Sequence, residues 1–395
     1  MCKDNNSIKE NEMKLLAVSD LHLGRRQHEF DLIEDQKHAL KSIVKICLEK
    51  KPDVLLIAGD VYDSALPPRD AVSLLDDFLF ELAGLPLSVL MISGNHDSRE
   101  RLNYGGRIFE GSGIHIAAEA ELPVKTVTLS DEYGPVRFTL LPYLRPADIR
   151  RFAEDGETVS DTLTKILNSA GEFSGREVIL SHQFWLPLSG ELVRCDSEPP
   201  TVGGLDGLPV SLLDRYCYAA LGHIHTPQSV GRSGVRYSGS ILKYSASEVH
   251  SEKSLPLVSL GKSGLEDIEF IPLEPLRQVR RIKGPLAELC AAAETEGVSE
   301  DYIYAVVTDP IPDPDARRRL LFYYPNLMEM KIDLPDNERT EFSSEAVTRK
   351  RTISEWFYEF YLMQNGISPE DGFGESGAEV INKAVEAAGG EEALL

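Results

Sequence analysis

Five short polar clusters in the first two-thirds of the chain contain the residue types that bind metal ions. They are Asp20 and His22 in SDLHLG, Asp60 in GDVYDS, Asn95, His96 and Asp97 in SGNHDS, His182 in SHQ, and His223 and His225 in GHIH. Each cluster follows a short apolar run, and α/β folds collect ligands beyond the carboxyl ends of their strands. One Asp-x-His alone is more often a turn or a helix cap. Five such clusters in series predict one shared metal site.

The mixture of imidazole, carboxylate and amide groups predicts the chemistry of that site. Two divalent ions about 3.5 to 4 Å apart can clamp an in-line displacement at phosphorus, with one carboxylate between them. We expect Asp60 to be this bridging ligand. Mixed nitrogen and oxygen ligands suit manganese, iron or zinc better than magnesium. The sequence therefore predicts a two-metal phosphoesterase that uses Mn²⁺, with Mg²⁺ as an alternative.

The third cluster also contains candidates for proton transfer. We expect His96 to face the substrate and to act as general acid toward the leaving oxygen. Asp97 is predicted to hold the His96 ring in the required tautomer, and its alternative role is an N-cap before SRERL. Asp63 either orients His96 or water, or forms a turn. Three arginines that follow are candidates for phosphate contact, or else lie on a solvated helix face: Arg99, Arg101 and Arg107.

The apolar runs indicate which elements position these residues. KLLAV, DVLLIA, SVLMI, VRFTLL, EVIL and YAAL read as buried strands with helices between them, which predicts an α/β domain over residues 13–275. Residues 276–340 predict a smaller α+β domain. Residues 1–12 are polar and predict a disordered tail. Residues 341–395 predict an acidic helical region whose aromatic cluster either packs within the chain or docks a partner: Trp356, Phe357, Phe360 and Tyr361.

The charge and hydropathy limit the classes of function. The formal net charge is −23 at pH 7, which argues against broad electrostatic adhesion to nucleic acid. A DNA substrate would need bound cations, a local basic strip or a partner subunit to hold it. The first residues lack the apolar core of a signal peptide, and no long apolar run follows. A cytoplasmic protein without membrane attachment is expected.

Longer stretches resemble a known family. The five clusters together resemble the calcineurin-like metallophosphoesterase superfamily. SGNHDSRERLNYGGRIF, RRQHEFDLIEDQKHAL, and GHIHTPQSV followed by VRYSGSILKYSASE are similar to the SbcD family, the nuclease subunits of bacterial SbcCD complexes. This resemblance implies a β-sandwich flanked by helices, a cap domain at 276–340 that faces DNA, and C-terminal helices that grip the base of a partner's coiled coil. The sequence departs from the family pattern at Leu21, Ile241 and Ala246, none of which is a predicted ligand.

The resemblance also implies a ligand set and an activity. One ion would be held by Asp20, His22, Asp60 and His225, and the other by Asp60, Asn95, His182 and His223, with His96 as catalytic acid. The implied protein is a manganese-dependent 3′–5′ double-strand exonuclease and single-strand or hairpin endonuclease. It would act in DNA repair, recombination and replication, at the nucleoid, as a homodimer bound to an SbcC-type ATPase of the structural-maintenance-of-chromosomes class. The alternatives are another calcineurin-like phosphodiesterase or phosphatase, and an inactive scaffold.

Overall fold

A computed structural model describes residues 12–187, 189, 192–198, 207–311 and 313–333 of the chain. The chain divides into two compact units, Met1–Asp333 and Leu334–Leu395, and all described residues belong to the first. Two predictions fall outside the described residues. They are the disordered tail, apart from Glu12, and the helical region at 341–395 with its aromatic residues Trp356, Phe357, Phe360 and Tyr361.

The described residues form nineteen strands and eight α-helices. The strands are β1 (Met13–Val18), β2 (Arg26–Gln27), β3 (Phe30–Asp31), β4 (Val54–Ala58), β5 (Ser88–Ile92), β6 (Ile114–Ala117), β7 (Thr126–Asp131), β8 (Gly134–Leu141), β9 (Arg176–Ser181), β10 (Trp185–Leu186), β11 (Leu208–Pro209), β12 (Tyr218–Leu221), β13 (Gln228–Val230), β14 (Arg232–Tyr237), β15 (Ser254–Gly261), β16 (Gly264–Pro272), β17 (Val279–Gly284), β18 (Tyr302–Val307) and β19 (Leu327–Ile332). The helices are α1 (Ile33–Lys50), α2 (Arg69–Ala83), α3 (Arg99–Leu102), α4 (Gly106–Phe109), α5 (Pro146–Phe152), α6 (Val159–Asn168), α7 (Leu286–Glu296) and α8 (Ala316–Tyr323).

Two six-stranded sheets carry all six strands that the apolar runs predicted. The first sheet has the order β16-β15-β1-β4-β5-β6, and the second has the order β13-β14-β12-β9-β8-β7. The neighbours β1, β4, β5 and β6 are parallel. So are β14, β12, β9 and β8. The carboxyl ends of the parallel strands therefore gather at one edge of each sheet.

The sheets pack face to face, because their strands are apolar on both faces. In β1, Leu15 and Ala17 face the core between the two sheets, where they meet Phe138 of β8 and Leu180 of β9. The alternate residue Leu16 faces the other way, toward the helices. A strand that is buried on both faces reads as a continuous apolar run, which is why period-2 alternation is absent there.

Helices cover the outer faces of the sandwich. In α1, Ala39, Leu40, Ile43 and Cys47 form a buried stripe at helical spacing that packs against the first sheet. Helix α2 covers the same face. Helices α5 and α6 contribute to the core on the outer face of the second sheet. The result is the metallophosphoesterase sandwich flanked by helices that the resemblance implied, with a further domain after it.

Residues 279–332 form a third, three-stranded sheet with the order β17-β18-β19, and α7 and α8 connect its strands. These strands lie at RQVRRI, DYIYAVV and LMEMKI and the helices at PLAELCAAAETE and DPDARRRLLFYY, as the sequence pattern of these segments predicts. All strand pairs in this sheet are parallel, so the segment is α/β and differs from the α+β arrangement that we predicted. Tyr302 and Tyr304 of β18 pack into the core of the first sheet, and the Tyr302 hydroxyl donates to Asp35 of α1. The boundaries at 275 and 340 stay predictions.

Across the described part of the chain, we find no helix that combines the length and the apolar character needed to cross a membrane.

Candidate metal centre

The loops after β1, β4, β5, β9 and β12 bring all seven predicted metal-binding residues together. Six of these side chains are buried and Asn95 is partly buried: Asp20, His22, Asp60, Asn95, His182, His223 and His225. Three of the loops come from the first sheet and two from the second, so the site lies at the seam of the sandwich. Because each loop follows a buried strand, the sheet edge fixes where its first polar residue stands.

Asp60 lies in the middle of this cluster. Its Oδ2 atom is 3.6 Å from Nε2 of His22 and 3.3 Å from Nε2 of His182. Its Oδ1 atom instead accepts a hydrogen bond of 2.9 Å from the backbone N–H of His96. One oxygen is thus fixed by the backbone, while the other faces imidazoles from both sides of the site.

The donor set fits divalent cations. Nε2 of His22 and Nε2 of His225 are only 3.1 Å apart, and Oδ1 of Asp20 lies 4.0 Å from the second of these nitrogens. Oδ1 of Asn95 lies 3.1 Å from Nε2 of His182 and 3.0 Å from Nδ1 of His223. A hydrogen on one ring nitrogen can join each of these contacts when no ion is bound, and a divalent cation can take the place of that hydrogen. The two crowded groups suit two nearby ions with mixed nitrogen and oxygen ligands.

Asp20 is close to both groups. Its Oδ1 atom is 3.9 Å from Nε2 of His182, and its two oxygens accept from the backbone N–H of His223 at 3.0 and 3.2 Å. Both Asp20 oxygens are therefore engaged by a backbone donor, unlike Oδ2 of Asp60. This difference favours Asp60 over Asp20 as the oxygen that two ions share.

The backbone of the site is held in unusual conformations. Four of the predicted ligands have positive φ angles: Asp20 (53°), His22 (45°), Asp60 (48°) and His223 (97°). Such conformations cost about 1 to 3 kcal/mol each in residues other than glycine, and they concentrate at functional sites. Gly59 and Gly94 allow the crowding, because a Cβ at these positions would lie 2.4 Å from His182 Nδ1 and 2.1 Å from Asp60 Oδ1.

Burial and neighbouring charges set the ionisation of the site. Burial lowers the pKa of His223 to about 3 and that of His225 well below its ordinary value, so both rings are neutral and able to bind metal. Burial alone would raise the pKa of Asp60, but His182 and His22 hold it well below its ordinary value. Burial raises the pKa of Asp20 to about 6, against the opposing effect of His182. At neutral pH, both aspartates are carboxylates.

His96 lies at the rim of the cluster and is partly exposed. Its Nε2 atom is 4.0 Å from Oδ2 of Asp60, and its Nδ1 atom is 2.8 Å from the backbone carbonyl of Asp63. A carbonyl oxygen only accepts hydrogen bonds, so Nδ1 carries the hydrogen in the neutral ring. The carbonyl of Asp63 therefore orients His96, and the Asp63 carboxylate lies 3.1 Å from Nδ1 of His22.

The Asp97 carboxylate makes no hydrogen bond to the His96 ring, which contradicts the orienting role that we predicted for it. Its buried carboxylate accepts hydrogen bonds from the backbone N–H groups of Val61, Tyr62 and Gly94. These bonds tie the loop after β4 to the loop after β5. Asp97 is not the N-cap of α3 either, because Ser98 accepts from the backbone N–H of Arg101. Asp97 thus holds the loops that carry Asp60 and Asn95.

The three candidate arginines differ in their surroundings. Arg99 is mostly buried, and its guanidinium donates two hydrogen bonds to Asp148 and one of 2.8 Å to the carbonyl of Tyr143. Its donors are committed to the protein, so the predicted phosphate contact by Arg99 is not supported. Arg101 and Arg107 are exposed on α3 and α4.

Comparison with known proteins decides the family. The calcineurin-like phosphoesterase model matches residues 13–227. A second model, described as the Type 5 capsule protein repressor C-terminal domain, matches residues 275–365. The SbcD subunit of the SbcCD nuclease of Staphylococcus epidermidis is 30% identical over 354 residues, which cover 88% of this chain and 92% of that protein. The chain belongs to the SbcD family of calcineurin-like phosphoesterases.

A second member of the SbcD family, from Staphylococcus saprophyticus, is 32% identical over 323 residues, which cover 80% of this chain and 84% of that protein. A solved dimetal phosphatase from Danio rerio has a TM-score of 0.37 and 15% identity, covering 66% of this chain and 99% of that one. Membership of the family makes the chain a hydrolase of phosphoester bonds that uses divalent metal ions. The crowded donors described above fit that chemistry.

Several residues of this SbcD-type site had no signal in the sequence. The described part of the loop after β10 brings Ser197 within 2.7 Å of Nδ1 of His225, and Glu198 accepts from the backbone N–H of His225 at 2.9 Å. Tyr143 stacks on His223 with an interplanar angle of 24°, and Phe184 meets the same ring edge-on. None of these residues belongs to a recurring cluster, so nothing in their spacing marks them.

Proposed function

We propose that this chain is the nuclease subunit of a two-subunit DNA end-processing enzyme. It cuts double-stranded DNA ends with 3′–5′ polarity and opens single strands and hairpins. Its metal is Mn²⁺, with Mg²⁺ as a weaker substitute. The observation that carries this proposal is the position of Asp60 Oδ2, between His22 and His182 and 4.0 Å from His96.

The proposal assigns the ligands to two ions that share Asp60. Asp20, His22 and His225 complete one set, and Asn95, His182 and His223 complete the other. Two ions held there would supply Lewis-acid stabilisation for an in-line displacement at phosphorus. The crowding of nitrogen and oxygen atoms within each set supports this division.

The chain's own residues supply the proton and the orientation. His96 reaches the rim of the site, and its ring is fixed through Nδ1 by the Asp63 carbonyl, so Nε2 is directed away from the backbone. We assign His96, with a hydrogen on both ring nitrogens, to give its Nε2 proton to the sugar oxygen that leaves, which returns the ring to the neutral form with its hydrogen on Nδ1. Tyr143 and Phe184 pack against His223 and limit the movement of its ring.

The acidic charge of the chain bears on how DNA is held. With a net charge of −23, the chain has no excess of cations to neutralise phosphates. The proposal therefore places most of the DNA grip on an SbcC-type ATPase partner and on a homodimeric arrangement, acting in the cytoplasm at the nucleoid. Residues 276–340 are assigned to the DNA-facing cap, and 341–395 to the partner. Exposed Arg101 and Arg107 are the remaining candidates for direct phosphate contact.

Cleavage assays on three substrate classes test this function. The chain is incubated with MnCl₂, with and without its ATPase partner, on blunt duplexes, on hairpin-ended duplexes and on a small phosphodiester. We expect cleavage of both DNA substrates by the complex. Cleavage of the small ester alone would favour a general phosphodiesterase, and no cleavage of any substrate by the full complex would favour a scaffold.

A further inference from the structure

His225 is held on three sides by groups that are not predicted metal ligands. Ser197 Oγ is 2.7 Å from its Nδ1, Glu198 accepts from its backbone N–H at 2.9 Å, and Lys253 Nζ donates to its backbone carbonyl at 2.9 Å. These three residues come from two separate segments of the chain. The remaining ring nitrogen, Nε2, faces His22 at 3.1 Å.

A buried carboxylate stands behind Ser197. Glu248 is 1% exposed and lies 2.8 Å from Ser197 Oγ and 2.6 Å from Nζ of Lys253, which is itself buried. It also accepts from the hydroxyl of Ser245 and the backbone N–H of Tyr244. Every one of these neighbours is a donor. Glu248 is therefore an ionised carboxylate that only accepts hydrogen bonds.

The direction of the hydrogen bonds follows from this charge. A serine hydroxyl has one hydrogen to donate, and the alternative of placing two oxygen lone pairs 2.8 Å apart is repulsive. Ser197 therefore donates to Glu248 and accepts from His225. His225 must then carry its hydrogen on Nδ1, which leaves Nε2 unprotonated and directed into the site.

We infer that Ser197, anchored by Glu248, is a positioning residue that fixes the tautomer and orientation of His225 for one of the two metal ions. This inference rests on the proposed two-metal site. It concerns only the ion on the His22 and His225 side. At the other predicted ion, Nδ1 of His182 donates to the backbone carbonyl of Ala58 at 2.7 Å, which gives His182 the same tautomer. Because this acceptor belongs to the backbone, no side-chain substitution removes it. Outer contacts of this kind change metal affinity by about 10- to 100-fold.

Titration of the metal-free full-length chain with MnCl₂, followed by calorimetry, tests the role of Ser197. We expect two ions per wild-type chain. In Ser197→Ala, one dissociation constant rises by about 10- to 100-fold while the other is unchanged. Ser229→Ala, at an exposed position in β13, is the matched control and keeps both affinities.

A second pair of variants separates positioning from folding. Ser197→Thr keeps the hydroxyl, and Ser197→Val has the shape of threonine without the hydroxyl. This pair therefore tests whether the hydroxyl positions His225, even where Ser197→Ala folds poorly. We expect Thr to restore the affinity and Val to lose it, with similar unfolding temperatures in EDTA. Equal affinities in the two variants would overturn the inference. A wild-type chain that binds fewer than two ions would overturn the two-metal proposal instead.

Discussion

Two sets of buried charges in this molecule differ in how their carboxylates are compensated. In the metal centre, Asp20 and Asp60 face imidazoles, and two of these, His223 and His225, are neutral. Elsewhere, three carboxylates are each paired with an arginine that also donates to backbone carbonyls. We call these pairs the arginine clamps: Arg99–Asp148, Arg137–Glu177 and Arg176–Asp131.

The difference separates function from stability. Arg176 donates to Asp131 and to the carbonyls of Gly134, Leu260 and Gly261, so it ties the second sheet to the β15–β16 turn of the first. An arginine clamp is complete without a ligand. The metal centre instead pairs its carboxylates with imidazoles, whose nitrogens can exchange a hydrogen for a cation, so it is adapted to bind one. Buried charge alone does not mark a functional site, whereas carboxylates paired with several imidazoles make this cluster a candidate for metal binding.

The largest effect is expected from removing the shared carboxylate of the metal centre. Asp60→Asn keeps the shape of the side chain and its acceptor for the His96 N–H, but it removes the charge. Hydrolysis should fall by about 10³-fold, since several kcal/mol of transition-state stabilisation are lost. Metal analysis after desalting should show fewer than two ions per chain. Retention of both ions with wild-type affinity would show that Asp60 does not bridge.

The second-largest effect is expected from removing the proposed general acid, His96. His96→Ala should lower kcat by about 10²- to 10⁴-fold on DNA while both ions stay bound. The loss should be much smaller on a p-nitrophenyl phosphodiester, because that leaving group needs no proton. His250→Ala, at an exposed histidine, is the control. An equal loss on both substrates would contradict the assignment.

Breaking an arginine clamp should lower the stability of the fold and leave catalysis largely unaffected. Arg99→Ala leaves Asp148 mostly buried without its cation, and we expect a loss of about 2 kcal/mol in the free energy of unfolding. Urea denaturation measures it, with Arg107→Ala as control, expected to stay within about 0.5 kcal/mol. Unchanged stability together with a large loss of DNA affinity would instead indicate that Arg99 contacts the phosphates of the substrate.

The Arg176–Asp131 clamp predicts a pH dependence. Burial alone would raise the pKa of Asp131, but its hydrogen bonds with Arg176 and with backbone N–H groups lower it. A depressed carboxylate pKa contributes stability that is present above its ordinary value of about 4 and is lost as the pH falls through the folded-state value. The difference in free energy of unfolding between wild type and Asp131→Asn should therefore shrink as the pH falls from 6 to 3. It should be about zero below the folded-state pKa of Asp131. A constant difference across this range would contradict the pairing.

The smallest effect is expected at the exposed arginines. Arg101→Ala and Arg107→Ala should each reduce the slope of log affinity against log salt by about 1, if each contacts one phosphate of DNA. Binding of duplex DNA by the complex at several salt concentrations gives this slope. Arg150→Ala, exposed on α5, is the control and should leave it unchanged.

Much of the fold, and the set of side chains that meet at the candidate site, could be predicted from the sequence, because both repeat a local signal. A run such as DVLLIA followed by GDVYDS identifies a buried strand and the polar residue at its end. The partner of a side chain across the molecule has no such signal. Asp97 and Arg99 are near the ligands in sequence, yet their carboxylate and guanidinium turn to a backbone loop and to Asp148.

Ser197 is a site residue that the sequence does not mark at all. It belongs to an irregular stretch with no periodicity, and it meets Glu248 and His225 only through the tertiary fold. The parallel pairing of β17, β18 and β19 was likewise missed, since strand direction depends on the connections and not on the strand sequences. Contacts between distant segments therefore had to come from the structure.

One measurement tests the central claim most directly: metal content and hairpin cleavage measured together on wild type and His96→Ala. We predict two Mn²⁺ per chain in both proteins, and cleavage of a hairpin-ended duplex by the wild-type complex that falls by at least about 10²-fold in the variant. Fewer than two ions in the wild type, or full cleavage by His96→Ala with two ions bound, would contradict it.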